Sequence, residues 1–327
     1  MQHYKINTLI SGGLITNYHC TSKCRHCLYN CGPGRPADYM DKKTSLLCFE
    51  KIREFGAASV HIGGGEPFLN PPGLESVLEC AAQTGVQIEY VETNSSWYKD
   101  EQSACRLLER LKSNGLNTLL ISISPFHLES IPFSKVENVM AACSKTGIRI
   151  FPWMDTFRSD IGNFDKSRCH RFEELMDHFG PSYLAGIQRR YWIHPGGRAL
   201  DTFRPVHNKK SIETILNENK TPCSGQLLDT SHFHIDLYGN YIPGLCSGIS
   251  LEMNALGSSL TIDKYPVMGT LLEKGIAGLH ERAVDAGFKP SRESYISKCD
   301  LCTDIRTHLV KNKLYLNELQ PRGFYSV

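Results

Sequence analysis

Three cysteines, Cys20, Cys24 and Cys27, stand in the run Cys-Thr-Ser-Lys-Cys-Arg-His-Cys. Thiolates prefer soft metals, and a loop this short can wrap one cubane iron–sulfur cluster and ligate three of its irons. The fourth iron is then open to a substrate or cosubstrate, which marks a reactive cluster rather than an electron wire. About forty residues on, Val60-His61-Ile62-Gly63-Gly64-Gly65-Glu66-Pro67 carries a β-rich stretch into three glycines and an acid. Glycines at a strand end let another molecule approach the backbone, because no Cβ stands in the way. A zinc loop followed by an unrelated glycine turn is the competing reading. Zinc usually needs a fourth ligand nearby, and no matched second pair follows the triplet.

These residues must be positioned by regular elements. Between residue 44 and about 180 the chain repeats one phrase: amphipathic helix, glycine, β-rich strand. Helices are expected from Ser45 to Gly56, over 73–84, 100–114, 134–146 and 165–179, with glycine marking each stop. Strands are expected at 14–19, 59–63, 87–93, 118–124, 148–153 and 184–193. Strict alternation argues for a parallel sheet with right-handed crossovers. Periodicity leaves an open sheet and a barrel equally allowed.

CxxxCxxC followed by Gly-Gly-Glu-Pro resembles the radical S-adenosylmethionine (SAM) enzymes. The resemblance implies an α/β fold, a partial (β/α)6 TIM-like barrel, with chemistry at the C-terminal ends of its strands. It also implies a SAM-binding 4Fe–4S cluster held by Cys20, Cys24 and Cys27, and an electron donor such as flavodoxin or ferredoxin. Cosubstrate contacts are expected from Gly64, Gly65 and Glu66, from Asn94 in Glu-Thr-Asn-Ser-Ser-Trp, and from Ser122 and Ser124 at the end of the fourth strand. Family members commonly have Ser-x-Asp there; this chain has Pro125-Phe126 in place of the acid. His26 takes the place of an aromatic residue beside the adenine. Arg190, or its neighbours Arg189 and Arg198, is expected to meet the SAM carboxylate.

A second group, Cys223, Cys246, Cys299 and Cys302, brackets an expected hairpin around Tyr238-Gly239-Asn240 and ends in a CxxC. Four thiolates satisfy a second cluster or a structural zinc. The layout resembles the SPASM or twitch module, implying an auxiliary 4Fe–4S cluster. The expected organisation is therefore 1–205 partial barrel, 206–220 linker and 221–327 small cysteine-rich auxiliary module. Cys31 and Cys169 are weighed as hydrogen donors against simple packing.

A net charge of +2 offers no global attraction to nucleic acid. No signal peptide and no membrane-length apolar run is read, so thirteen cysteines point to reduced thiols in a cytoplasmic protein. The stretch before Cys20 is expected to hold no cobalamin-binding or leader-recognition domain. The expected function is radical SAM hydrogen abstraction from a peptide or small natural product, by epimerisation, oxidation or bond formation. The plan is similar to radical SAM peptide epimerases and twitch-type carbohydrate dehydrogenases. A glycyl-radical activase and a zinc-stabilised interaction protein are the alternatives.

Overall fold

The computed structural model describes residues 4–326; positions 1–3 and 327, the outer ends of the expected domain limits, lie outside the described residues. From Gly12 to Trp153 the expected alternation is present: β1 (Gly12–Ile15), α1 (Lys42–Glu54), β2 (Ser59–Gly63), α2 (Pro71–Thr84), β3 (Gln87–Thr93), α3 (Glu101–Ser113), β4 (Thr118–Ser122), α4 (Phe133–Thr146) and β5 (Arg149–Trp153). Polar caps start three of these helices: Asp41, Asn70 and Asp100 accept from the backbone N–H groups of Thr44, Gly73 and Ser103. Gly85 and Gly147 end α2 and α4 at φ of 76° and 66°, which a Cβ would penalise.

Strands β1 to β5 pair in parallel, and α1 to α4 pack side by side as their crossovers. Strand alternation then separates two chemistries. Val91, Leu119 and Ile121 are fully buried. The residues between them look the other way: register places Glu92, Leu120 and Phe151 in one row, and Ser122 beside Trp153. That second face is rich in polar and aromatic groups, and it becomes a cavity wall.

Several expectations change. The helix expected over 165–179 spans only Phe172–Phe179. The strand expected over 184–193 is a helix, Tyr183–Arg190. Its buried Tyr183 and Ile187 are four residues apart, so the apolar period there is helical. The sixth parallel strand comes instead from the expected hairpin: β6 (Phe233–Asp236) lies beside β1, with Leu14 opposite Ile235. β7 (Asn240–Ile242) and β8 (Leu251–Glu252) continue antiparallel. The sheet is open, in the order β5-β4-β3-β2-β1-β6-β7-β8, an α/β partial barrel with β1 inside it. The helices Pro266–Asp285 and Lys298–Lys311 pack on each other near the chain end. Among the described residues, no helix is long and apolar enough to cross a membrane.

Candidate functional site

β1 ends at Ile15, short of the expected His19, and the next residues run along the glycine segment instead. Thr16 N–H donates to the Gly63 carbonyl at 3.0 Å, Gly65 N–H to Asn17 at 2.7 Å, and Glu66 N–H to His19 at 3.1 Å. A Cβ on Gly65 would stand 2.0 Å from the His19 carbonyl oxygen. The glycines were expected to admit a ligand; they first admit the chain's own backbone, which delivers the cysteine loop. A second clasp comes from Gly197, whose added Cβ would meet the Cys27 and Leu28 carbonyls at 2.4 Å. Next to it, Arg198 donates from Nε to the Cys24 carbonyl at 2.8 Å and from Nη2 to the Cys31 carbonyl at 2.6 Å.

Cys20, Cys24 and Cys27 all line one cavity of about 440 Å³, together with Gly64, Gly65, Asn94 and Ser122. That volume is in the range of small-molecule sites. Ser22 N–H and Asn94 Nδ2 each reach Cys20 Sγ at 3.4 Å, and Cys31 N–H reaches Cys27 Sγ at 3.4 Å. Burial pushes the Cys20 thiol up to about 12 and Cys24 well up. A hydrogen bond from Cys31 and the Arg198 charge bring Cys27 down, while in Cys20 and Cys24 that charge offsets only part of the rise. All three cysteines are free thiols. The donor set, three thiols of one loop lining one cavity, is of the soft kind that suits an iron–sulfur cluster.

His26 lines the cavity within an aromatic cluster: it stacks on Trp153 with centroids 5.3 Å apart, lies 5.0 Å from the Phe126 ring, and among the described residues its buried Nδ1 has no partner. Burial holds His26 well below the ordinary imidazole range and His127 down at about 4, so both are neutral. Asn94 lines the cavity, but its Nδ2 also binds Thr21 Oγ1 at 3.2 Å and Ser22 Oγ at 3.3 Å, so it orients the cysteine loop.

Three expected contacts are not brought to the cavity wall. Glu66 is fully buried, and its carboxylate accepts from Asn94 N–H at 2.6 Å, Phe68 N–H at 3.1 Å and Thr93 Oγ1 at 3.1 Å. It joins the ends of β2 and β3. Ser124 was expected to share a face with Ser122, but β4 stops at Ser122, and Ser124 Oγ pairs with His127 Nδ1 at 2.7 Å. Arg190 lies on the unexpected helix, where Asp160 takes its Nη1 at 2.5 Å. Arg198 is the arginine of that region that lines the cavity.

Sequence reasoning missed Glu92. It lines the cavity, burial followed by the Cys27 thiolate pushes its carboxyl up to about 7, and among the described residues no donor or cation reaches it. Also missed is a histidine pair: His61 Nε2 lies 3.1 Å from His234 Nε2, and Tyr29 Oη lies 2.8 Å from His234 Nδ1. Burial depresses both imidazoles. The alternation His232-Phe233-His234-Ile235 was the available signal; its partner in β2 is 173 residues away.

The four cysteines of the second group come from separate elements. Cys223 precedes the short helix Ser224–Leu227, Cys246 follows β7, and Cys299 and Cys302 occupy the first turns of Lys298–Lys311. Burial and then the thiolates of Cys299 and Cys302, with Cys223 adding a smaller push, raise Cys246 to about 12. Cys299 rises to about 11 for the same reasons.

Residues 14–151, from β1 to β5, match the model of the radical SAM superfamily. Comparison with curated proteins finds no match. Similar solved structures include native anSMEcpe with bound AdoMet, at 14% identity over 93% of this chain and 98% of that one, TM-score 0.42. SuiB of Streptococcus suis bound to precursor peptide SuiA matches at 12% identity over 97% of this chain and 76% of that one, TM-score 0.36. With its cysteine loop, its glycine run and an open parallel sheet carrying both, the segment 14–151 is a radical SAM superfamily domain.

Proposed function

We propose that this chain is an enzyme that binds a 4Fe–4S cluster through Cys20, Cys24 and Cys27 and SAM in the adjoining cavity, for hydrogen abstraction from a peptide or small natural product. The carrying observation is convergence: three thiols of one loop, two glycines and an aromatic-stacked, unpartnered imidazole line a single cavity. A cluster held by these three thiols would supply the single-electron reduction of the SAM sulfonium on which hydrogen abstraction depends. The protein's own contributions are positional. Arg198 fixes the cysteine loop and favours its thiolate form; Asn94 braces it; His26 and Trp153 offer a stacking surface. Glu92 is a carboxylate awaiting a cation, and an ammonium group suits it. Tyr90, Phe151 and Tyr191 line the cavity with rings against which a substrate can be oriented.

Cys223, Cys246, Cys299 and Cys302 hold an auxiliary 4Fe–4S cluster in this reading, in a module over 221–327 that follows a barrel over 1–205 and a linker over 206–220. A flavodoxin- or ferredoxin-type partner supplies the electron. Anaerobic reconstitution tests the proposal. Wild type takes up about eight irons per chain and cleaves SAM to 5′-deoxyadenosine. Alanine at Cys20, Cys24 and Cys27 abolishes cleavage, and alanine at the other four cysteines removes about half the iron. A wild-type chain without iron–sulfur absorption and without SAM cleavage sinks the reading.

A further inference from the structure

Arg306 is 5% exposed, and among the described residues no carboxylate pairs with it. Four hydrogen bonds tie its guanidinium, and every acceptor is neutral. Nη1 donates to the Ser247 carbonyl and to Tyr325 Oη, both at 2.8 Å, Nη2 donates to Thr303 Oγ1 at 3.1 Å, and Nε reaches the Cys302 carbonyl at 3.3 Å. The rings of Phe324 and Tyr325 lie 6.0 and 5.7 Å from its central carbon. A buried cation is costly unless an anion compensates it. Two of its bonds reach the backbone of the four-cysteine group: the carbonyl of Cys302 itself and that of Ser247, the residue after Cys246.

Nearby charges point the same way. Lys298 Nζ is 4.0 Å from Cys223 Sγ. Cys299 and Cys302 sit at the N-terminal end of a 14-residue helix, where the helix dipole favours negative charge. The acid within the CxxC, Asp300, is already matched: Arg204 donates to it at 2.7 and 2.9 Å and Arg292 at 3.1 Å. The surroundings of the four thiols therefore carry excess positive charge, with its most buried element at Arg306.

We infer that Arg306 is the counter-ion of an anionic, thiolate-ligated iron–sulfur cluster at Cys223, Cys246, Cys299 and Cys302, and that its charge raises that cluster's reduction potential. The inference rests on the auxiliary-cluster reading above. Reduction adds one electron, and hence one negative charge, to a group that four thiolates already make anionic; a fixed cation beside it favours the reduced state.

The test uses the full chain in a C20A/C24A/C27A background, which leaves the second centre alone. After anaerobic reconstitution, its midpoint potential is measured by dithionite titration followed by EPR. Arg306→Gln is expected to shift the potential negative, and Arg306→Lys to hold it near the parent value. Loss of iron in R306Q but retention in R306K also supports a requirement for the charge. An unshifted R306Q, an equal shift in R306K, or iron loss in both variants overturns the inference. No second-centre iron in the parent overturns the two-cluster reading and this inference together, which distinguishes the two failures.

Discussion

Glu66 follows the glycine run where a ligand contact was expected, yet its carboxylate serves the protein's own backbone. Removing it leaves the Asn94 and Phe68 N–H groups and the Thr93 hydroxyl without an acceptor in a fully buried place. Glu66→Ala should therefore cost roughly 3–5 kcal/mol in urea unfolding. Glu66→Gln should keep SAM affinity within about threefold by calorimetry, because the side chain does not line the cavity; a larger loss would restore a direct contact. Arg190 teaches the same lesson. Adjacent arginines are indistinguishable by composition, and the helix they occupy gives Arg190 to Asp160, whereas Arg198 reaches the cysteine loop.

At the scale of elements, the loop after β1 and the end of β2 are one unit, because their backbones bond directly. Gly65→Ala forces a methyl against the His19 carbonyl and must displace the cysteine loop. Reconstituted G65A should lose iron at the first centre while its far-ultraviolet circular dichroism stays that of wild type. A different element is tied at long range: Glu318 accepts from Val267 N–H at 3.1 Å and Met268 N–H at 2.7 Å, capping the helix Pro266–Asp285. Burial pushes its carboxyl from 4.5 up to about 7, against those hydrogen bonds. Between those values the folded chain keeps a proton that the unfolded chain has released. The Glu318 contribution to stability is therefore present at low pH, falls as pH rises from about 4.5 to about 7, and stays lost above. The fall in unfolding free energy from about pH 5 to about pH 8 should shrink by about 2–3 kcal/mol in Glu318→Gln.

Across the whole molecule, the two halves of the chain share a sheet and a buried charge network. β6 covers the edge of β1, so a fragment ending at residue 220 exposes that edge and should be far less soluble than the full chain, measured by soluble yield and light scattering. Asp300 joins the C-terminal CxxC to Arg204. Asp300→Ala leaves Arg204 with the longer contact to Asp201 at 3.5 Å and should cost roughly 3–5 kcal/mol in chemical unfolding.

Much of this was legible because it is local. The β/α phrase, its glycine stops and the cysteine spacing are set by contacts within a few residues, where helix capping and loop length act directly. The hairpin at Tyr238-Gly239-Asn240 was readable for the same reason, since Gly239 takes the turn at φ 78°. Glu92, the His61–His234 pair and Arg306 were not legible. Each gains its meaning from what faces it across the sheet or from a distant segment, and strand alternation says which side a residue faces but not what it meets. The residues alone determined that a thiolate loop and a glycine run belong to an alternating α/β chain. Only the tertiary structure decided that β6 closes beside β1, that Arg198 rather than Arg190 attends the cysteines, and which buried charges remain unmatched. Strand pairing and charge compensation are long-range, and burial makes an unmatched charge costly.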